Sequence, residues 1–344
     1  MRELILGSTG IRTPQNAFGA LPIQRATKDD AVRILRKAYD GGMRYFDTAR
    51  AYSDSEEKMG EAFAGMRDKI IIASKTMAKT PEEFRSDLET SLKMLRTDYI
   101  DVYQFHCVEQ VYAPGDGTGM YECMLKARDD GRIRHIGITA HKIQLAFDAV
   151  ESGLYETMQF PFSYLAGEKE IALVESCAAH NVGFVCMKGL AGGLITNSRA
   201  AMAFMTGYEN ALPIWGIQTE SELDEWLEFM ENTPEYTDDI RDFIENERKE
   251  LSGNFCRGCG YCEPCPVGIE IHQCARMSLM IRRSPSAGWL SEKWQKEMNK
   301  IENCLHCNKC MSHCPYELNT PKLLQANLKD YKEVLATHPS GNVI

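Results

Sequence analysis

The stretch Asp98-Tyr-Ile-Asp-Val-Tyr-Gln-Phe-His106 shows the pattern that decides the fold of this 344-residue chain. A short apolar, β-branched run ends in a polar side chain, and amphipathic segments such as Lys28–Asp40 and Pro81–Leu95 lie between this run and others like it. Eight apolar runs precede residue 231, and a polar side chain ends or follows six of them. The eight runs are residues 16–19, 44–47, 70–74, 101–105, 135–139, 157–161, 183–187 and 212–216.

The alternation of strands and helices predicts parallel βα units in an α/β domain over residues 1–235. Eight units favour a (β/α)8 TIM barrel over an open sheet, because eight strands close such a barrel. No Gly-x-Gly-x-x-Gly follows the first strand, which also argues against a dinucleotide-binding open sheet. Residues 3–6 and 11–13, joined by a turn at 7–10, predict a small hairpin over the barrel floor.

Two cysteine runs near the C-terminus predict a second, smaller domain. They read Cys256-Arg-Gly-Cys259-Gly-Tyr-Cys262-Glu-Pro-Cys265 and Cys304-Leu-His-Cys307-Asn-Lys-Cys310-Met-Ser-His-Cys314, each followed by proline. The second run has the bacterial ferredoxin spacing, and the first has two residues instead of three before its last cysteine. The pattern favours two [4Fe–4S] clusters over structural zinc, because a zinc site needs only four ligands, usually in two distant pairs.

Analogy with two-cluster ferredoxins predicts crossed ligation, in which the last cysteine of each run joins the other run's cluster. The first cluster then takes Cys256, Cys259, Cys262 and Cys314, and the second takes Cys304, Cys307, Cys310 and Cys265. Uncrossed ligation remains open. The gap between the runs has helical patterning at 273–283 and 290–303. Residues 236–344 are therefore predicted to form a linker and an α-helical ferredoxin-like domain.

Composition restricts the partners and the compartment. The formal net charge of −10 argues against nucleic acid or an anionic membrane as a partner. No apolar stretch approaches the length of a membrane span, and the N-terminal residues do not resemble a signal peptide. The cysteines outside the two runs are scattered, several of them in apolar segments, as reduced thiols usually are. We expect a cytoplasmic protein of an anaerobic cell.

Polar residues end six of the predicted strands. Because catalytic groups of TIM barrels lie at the C-terminal ends of the strands, we expect these residues to form one site. They are Asp47, Lys75, His106, Thr139, Gln159 and Lys188.

Three segments around these residues resemble the aldo/keto reductase superfamily. The segments are Asp47-Thr-Ala-Arg-Ala-Tyr52, Ile72-Ala-Ser-Lys75-Thr and the stretch ending at His106. With the cysteine runs, the chain resembles the iron–sulfur branch of that superfamily. The resemblance implies that Tyr52 is the general acid, that Lys75 lowers the pKa of Tyr52, and that Asp47 holds Lys75. His106 would donate a hydrogen bond to the substrate oxygen.

The resemblance also implies a nicotinamide cofactor. Its carboxamide would contact Thr139 and Gln159, its pyrophosphate Lys188, Gly189, Leu190 and Gly192, and its adenosine phosphate Gly216 and Thr219. The chain departs from the family pattern at Ala140, where an asparagine is usual, and at Gly189, where a proline is usual. His141 is then placed to face the substrate. The acidic residues after Thr219 favour NAD(H) over NADP(H).

A hydride carries two electrons and each cluster passes one, so a flavin or a redox-active substrate is a candidate mediator. The first hypothesis is an oxidoreductase that interconverts a small-molecule carbonyl and an alcohol, coupled to the clusters. An external ferredoxin or flavodoxin is a candidate partner. The second hypothesis has the clusters feed single electrons to a substrate or flavin at the barrel mouth. The third is a nicotinamide-binding redox sensor without turnover.

Overall fold

The computed structural model describes residues 1–251, 255–283 and 286–338. It contains two units, and the first comprises Met1–Gly189 and Arg199–Thr237. The second comprises Leu190–Ser198 and the chain from Asp238 onward. The division after Thr237 lies two residues beyond the boundary expected from the sequence. Within the described ranges, no helix is both long enough and apolar enough to cross a membrane.

The first unit is an eight-stranded parallel barrel preceded by a two-stranded antiparallel hairpin, which confirms the predicted fold class. The barrel runs in chain order from β3 to β10, and β10 pairs with β3 to close it. The strands are β1 Glu3–Ile5, β2 Arg12–Pro14, β3 Ala17–Gly19, β4 Tyr45–Asp47, β5 Ile71–Thr76, β6 Ile100–Phe105, β7 Ile133–Thr139, β8 Thr157–Pro161, β9 Gly183–Met187 and β10 Ala211–Gly216.

Helices connect the barrel strands, and their ends follow local sequence signals. Thr27 and Thr80 cap α1 and α3 by accepting hydrogen bonds from the backbone N–H groups of Asp30 and Glu83. Both helices have the bounds predicted from the sequence. The helices are α1 Lys28–Asp40, α2 Ser55–Ala62, α3 Pro81–Leu95, α4 Met120–Asp129, α5 Ile143–Glu151, α6 Glu168–Ala179, α7 Ser198–Thr206 and α8 Glu220–Glu231.

The hairpin supplies apolar side chains to the barrel interior. Leu4 and Leu6 are buried and pack in one cluster with Tyr45 at the start of β4 and Leu212 near the start of β10. These are N-terminal strand positions, so the hairpin covers the floor of the barrel as predicted. The opposite, C-terminal ends of the strands carry the polar residues identified from the sequence.

The described part of the second unit is helical, as predicted. Its core includes Ile271, Met277, Met298, Leu324 and Tyr331. The predicted helix at 273–283 is interrupted between Cys274 and Met277, and the one at 290–303 starts later and ends in a 3-10 turn, Lys300–Asn303. The α-helices are α9 Asp238–Glu250, α10 Ile271–Cys274, α11 Met277–Arg283, α12 Ser286–Trp289, α13 Glu292–Asn299, α14 Lys309–Ser312 and α15 Thr320–Thr337.

Candidate functional site

A buried ion pair joins the ends of β4 and β5. Lys75 Nζ donates to Asp47 Oδ1 and to the Thr48 carbonyl oxygen, both at 2.6 Å. The Lys75 side chain is fully buried and that of Asp47 is 3% exposed. Burial raises the pKa of the Asp47 carboxyl, while Lys75 acts in the opposite direction. Because an unpaired charge would be very costly here, each group fixes the other in one position.

Two aromatic side chains complete the predicted catalytic set. The backbone N–H of Arg50 donates to the Lys75 carbonyl oxygen, which holds the loop between Asp47 and Tyr52 against β5. Lys75 Nζ lies 5.2 Å from the centroid of the half-buried Tyr52 ring. The ring centroids of Tyr52 and His106 are 5.7 Å apart, at an interplanar angle of 80°. The four predicted catalytic residues therefore lie together.

His106 is a neutral imidazole in this environment. Burial lowers its pKa from the ordinary 6.5 to about 3, and the positive charge of Lys75 contributes. Among the described residues, His106 Nδ1 has no hydrogen-bond partner. A neutral imidazole carries one N–H donor, which can serve a substrate oxygen without adding a charge to the pocket.

Tyr52 differs from the expectation based on the family. Burial raises the pKa of its phenol well above the ordinary value of 10, and the negative charge of Asp47 contributes. The expected lowering by Lys75 is wrong for this structure, because Lys75 is paired with Asp47 and the carboxylate offsets its charge. The phenol is consequently protonated at neutral pH and is a weaker acid than a solvent-exposed tyrosine.

Further predicted residues lie at the same ends of the strands. The Thr139 hydroxyl oxygen accepts the backbone N–H of Cys107 at 2.7 Å, which leaves its own proton to donate. Gln159 is buried, and its Oε1 accepts from Gln104 Nε2 at 3.1 Å. His141 Nδ1 lies 3.8 Å from Cys107 Sγ. Burial lowers the pKa of His141 to about 3, and the charges of Lys188 and His106 add to this effect.

The glycine that replaces the usual proline after Lys188 has a packing explanation. A Cβ on Gly189 would lie 2.5 Å from the Trp215 ring, which stacks on Trp226 with centroids 3.9 Å apart. A side chain at this position would displace the indole. The other residues assigned to this loop, Leu190 and Gly192, belong to the second unit.

The start of α8 is occupied by one of its own carboxylates. Thr219 caps the helix, and the N–H groups of Gln218 and Thr219 donate to Glu222 Oε2 at 2.7 and 2.9 Å. These amides lie next to Gly216, where the family resemblance predicts contact with an adenosine phosphate. An anion here must therefore displace Glu222.

Two cations lie beside α8 that the sequence did not reveal. Arg33 forms an ion pair with Glu220, and Lys37 pairs with Asp224 at 2.6 Å. Both cations are on α1, far away in sequence. Only the pairing of β10 with β3, which brings the first and last βα units together, makes them neighbours of α8. The charges near Thr219 are thus mixed and not solely acidic.

The motif cysteines line two cavities in the second unit. One is bordered by Cys256, Cys259, Cys262 and Cys314. The other is bordered by Cys265, Cys304, Cys307 and Cys310, and also by Cys262. Cys265 borders only the second cavity and Cys314 only the first. Apart from Cys262, which borders both cavities, this distribution corresponds to the crossed ligation predicted from the sequence.

The donor chemistry of these cavities fits two iron–sulfur clusters. Four thiols around one space are the ligand set of a [4Fe–4S] cluster. Within residues 1–251, 255–283 and 286–338, no three His, Cys, Asp or Glu side chains are grouped closely enough to hold a single metal ion. The backbone N–H of Gly258 lies 3.4 Å from Cys256 Sγ, and hydrogen bonds of this kind tune cluster potentials.

Comparison with known proteins identifies the class that this fold and these residues define. Residues 3–207 match the aldo/keto reductase family model, and residues 255–319 match a 4Fe-4S dicluster domain. The first match covers more than half of the chain. The protein belongs to the aldo/keto reductase family and carries a 4Fe-4S dicluster domain after the barrel.

Curated relatives resemble the barrel part of the chain. Aldo-keto reductase YhdN of Bacillus subtilis is 33% identical over 217 residues, which are 57% of this chain and 64% of the relative. L-galactose dehydrogenase of Arabidopsis thaliana is 26% identical, over 56% of this chain and 66% of the relative. Methylglyoxal reductase DkgB of Salmonella typhi is 31% identical, over 58% and 75% respectively. The chain thus spans slightly less than two thirds of the first two relatives.

Solved structures share the fold. An aldo-keto reductase from Bacillus halodurans in its holo form superposes with a TM-score of 0.63 at 20% identity, covering 72% of this chain and 96% of that one. A Klebsiella pneumoniae aldo-keto reductase in complex with NADPH gives a TM-score of 0.60 at 20% identity, covering 72% and 95%. At these identities the likeness concerns the barrel architecture.

Proposed function

We propose that this protein is a nicotinamide-dependent oxidoreductase that interconverts a small-molecule carbonyl and an alcohol, coupled to two [4Fe–4S] clusters. The proposal is based on the position of Tyr52, which lies beside both His106 and Lys75. A hydrogen bond to Asp47 holds Lys75 in place. A proton donor, a neutral hydrogen-bond donor and a buried ion pair are what carbonyl reduction requires of a protein.

A bound nicotinamide supplies or accepts the hydride in this reaction. The Tyr52 hydroxyl gives its proton to the carbonyl oxygen, so hydride and proton together complete the alcohol. His106 donates a hydrogen bond to the same oxygen and stabilises the charge that develops on it. Burial raises the pKa of Tyr52, so the phenol is protonated at neutral pH and its proton moves only as negative charge develops on the carbonyl oxygen.

The residues assigned to the carboxamide end of the nicotinamide cofactor are free to bind it more readily than those assigned to the adenosine-phosphate end. Thr139 retains a hydroxyl proton for the carboxamide, whereas the amides before α8 are occupied by Glu222. The two cations beside α8 already face Glu220 and Asp224. We therefore propose NAD(H) over NADP(H), since an added 2′-phosphate would meet several carboxylates. Fluorescence titrations should give a lower Kd for NADH than for NADPH, and Glu220→Gln should narrow the difference.

The proton-donor role is tested by a pair of tyrosine variants. Tyr52→Phe should lower the rate of NADH-dependent carbonyl reduction by about 10²–10⁴-fold, the usual contribution of a general acid. Methylglyoxal is the first substrate to test, because the Salmonella typhi relative is named as its reductase. The control is Tyr45→Phe, since the Tyr45 hydroxyl is buried at the barrel floor without a partner among the described residues. This variant should keep full activity.

The Tyr52→Phe and Tyr45→Phe variants also distinguish the proposed function from the two alternative functions. If Tyr52→Phe turns over as fast as the unaltered protein, the proton does not come from Tyr52. Turnover that requires a low-potential electron donor, needs no NADH and is insensitive to Tyr52→Phe would instead indicate one-electron reduction of a substrate or flavin by the clusters. Binding of NADH without turnover on a broad carbonyl panel would indicate a sensor.

The clusters can take the electrons of one hydride between them. Each [4Fe–4S] cluster held by the cysteines would accept one electron, so the two would take both electrons of a hydride while its proton is released to water. A flavin would provide the one-electron step if it binds. An external ferredoxin or flavodoxin is the proposed acceptor or donor beyond the chain. Anaerobic reduction of the purified protein in the presence of such a carrier tests this part directly.

A further inference from the structure

The second unit includes a short loop, Leu190–Ser198, that follows β9 in the sequence. Arginines at either end of α11 hold it. Arg276 Nη1 donates to the Gly192 carbonyl oxygen at 3.1 Å, and Arg283 Nε donates to that of Leu194 at 2.8 Å. The loop contains two of the residues to which the family resemblance assigns contact with the nucleotide, Leu190 and Gly192.

Arg276 also reaches the first cluster-binding run. A Cβ built on Gly258, between Cys256 and Cys259, would lie 2.7 Å from Arg276 Nη1, and one built on Gly192 would lie 2.6 Å from the same atom. The guanidinium therefore packs between Gly192 of the loop and Gly258 of the cysteine run. Its other nitrogens, Nε and Nη2, donate to Gln273 Oε1 at 3.1 and 2.8 Å.

The charge of Arg276 is buried and acts on the cysteine run. The residue is 6% exposed, and its hydrogen-bond acceptors, Gly192 and Gln273, are neutral. The guanidinium lies against Gly258, which is two residues from Cys256 and one from Cys259. Among the described residues, no carboxylate forms an ion pair with Arg276, so its charge is not offset locally.

We propose that Arg276 is a positioning residue that raises the reduction potential of the cluster held by Cys256, Cys259, Cys262 and Cys314, and that the Gly192 carbonyl keeps it in place. Reduction adds a negative charge to a cluster, and a nearby buried cation stabilises the reduced form. Any event that moves the loop would move this cation and change the potential. The inference rests on the proposed function, because it requires the two clusters.

Two adjacent glycines provide a matched test. Gly192 and Gly193 both have positive φ angles, of 68° and 93°, so an alanine strains the backbone at either position. Only the Cβ at Gly192 meets Arg276, whereas the one at Gly193 has Met280 Cε at 3.6 Å as its nearest neighbour. Gly192→Ala should displace the guanidinium and Gly193→Ala should leave it in place. Arg276→Gln removes the charge directly, and Arg276→Lys retains it.

The measurement is a potentiometric titration followed by EPR, on full-length variants whose iron content shows both clusters assembled. At a fixed potential, Arg276→Gln and Gly192→Ala should raise the oxidised-to-reduced ratio of the first cluster at least tenfold, or about 59 mV for a one-electron couple. The first-cluster potentials of Gly193→Ala and Arg276→Lys should stay closer to that of the unaltered protein. The second cluster is the internal reference, and its reduction potential should be the same in all variants.

An unchanged first-cluster potential in Arg276→Gln and Gly192→Ala, with both clusters present, would overturn the inference. Equal shifts in Gly192→Ala and Gly193→Ala would also overturn it, because backbone strain would then be the cause. If the unaltered protein fails to assemble two [4Fe–4S] clusters, the cluster part of the proposed function fails instead. Iron content and the EPR spectrum of the unaltered protein distinguish that failure from the others.

Discussion

The barrel site and the cysteine cavities differ in what balances the charges of their side chains. At the barrel site the charges of Lys75 and Asp47 offset one another without a ligand, and Lys75 also donates to the Thr48 carbonyl oxygen. In the second unit, burial raises the pKa values of Cys262 and Cys310, and neighbouring cysteines raise them further. Thiolates grouped in this way repel one another until a metal offsets their charge. The fold makes the first site, whereas the cofactor must complete the second.

The largest expected effect is the loss of a cluster ligand. Cys262→Ala should remove cluster iron, because Cys262 borders both cavities. The control is Cys274→Ala, since Cys274 is fully buried in the same core but borders neither cavity. It should retain about eight iron atoms per chain, the content of two [4Fe–4S] clusters. Iron analysis and hydrogen exchange provide the measurement.

Amide hydrogen exchange shows whether the barrel and the second unit differ in their dependence on iron. Removal of iron should deprotect the amides of α10 to α15 and leave those of β3 to β10 protected, because metal binding is coupled to folding only where the metal completes the site. Equal loss of protection in the barrel strands would contradict the comparison. Full protection of the second unit without iron would show that its fold does not need the clusters.

The second prediction concerns the buried ion pair. Lys75→Met should destabilise the barrel by about 3–5 kcal/mol, because it leaves the Asp47 carboxylate buried without a cation. Lys37→Met removes an ion pair of the same length, 2.6 Å to Asp224, but Lys37 is 36% exposed. Its loss should cost about 0–1 kcal/mol. Denaturant unfolding of both variants measures the difference, and equal costs would show that burial is not what makes the Asp47–Lys75 pair important.

The smallest effect is a pH dependence of barrel stability. His106 and His141 both have pKa values lowered to about 3 from 6.5. As the pH falls below 6.5 the unfolded chain takes up these protons and the folded barrel does not. The free energy of unfolding should therefore be greatest above pH 6.5 and fall between pH 6.5 and 3, by up to about 1.4 kcal/mol per pH unit for each histidine.

Variants attribute this slope to the two histidines. Hydrogen exchange of the barrel strands at several pH values gives the slope, and His106→Gln with His141→Gln should make it shallower. A slope that is the same in the double variant would mean that neither imidazole is held neutral by burial.

The sequence predicted the barrel well because its signals are local. Thr27 and Thr80 start their helices by side-chain capping, and the strands are short apolar runs. The order of polar strand ends placed Asp47, Lys75 and His106 together, because parallel strands of a barrel present all their C-terminal ends on one face. The cysteine spacing predicted two sets of four ligands, and the motif cysteines line two cavities in the second unit.

Features that depend on distant contacts were not predictable. Arg33 and Lys37 reach Glu220 and Asp224 only when the barrel closes, and nothing in the local sequence of α1 indicates this. The raised pKa of Tyr52 depends on its burial and on the pairing of Lys75 with Asp47. The need for glycine at position 189 arises from the Trp215 ring, which is distant in sequence and packs against it.

The most direct test of the account is an anaerobic titration of the iron-reconstituted protein with NADH, followed by the visible absorbance of the clusters. The central claim is that hydride chemistry at Tyr52 and one-electron transfer at the clusters belong to one enzyme. It predicts that NADH bleaches the cluster absorbance and that up to two electrons per chain are taken up, one by each cluster. Bound NADH with unchanged cluster absorbance, both alone and with an added flavin, would contradict this claim.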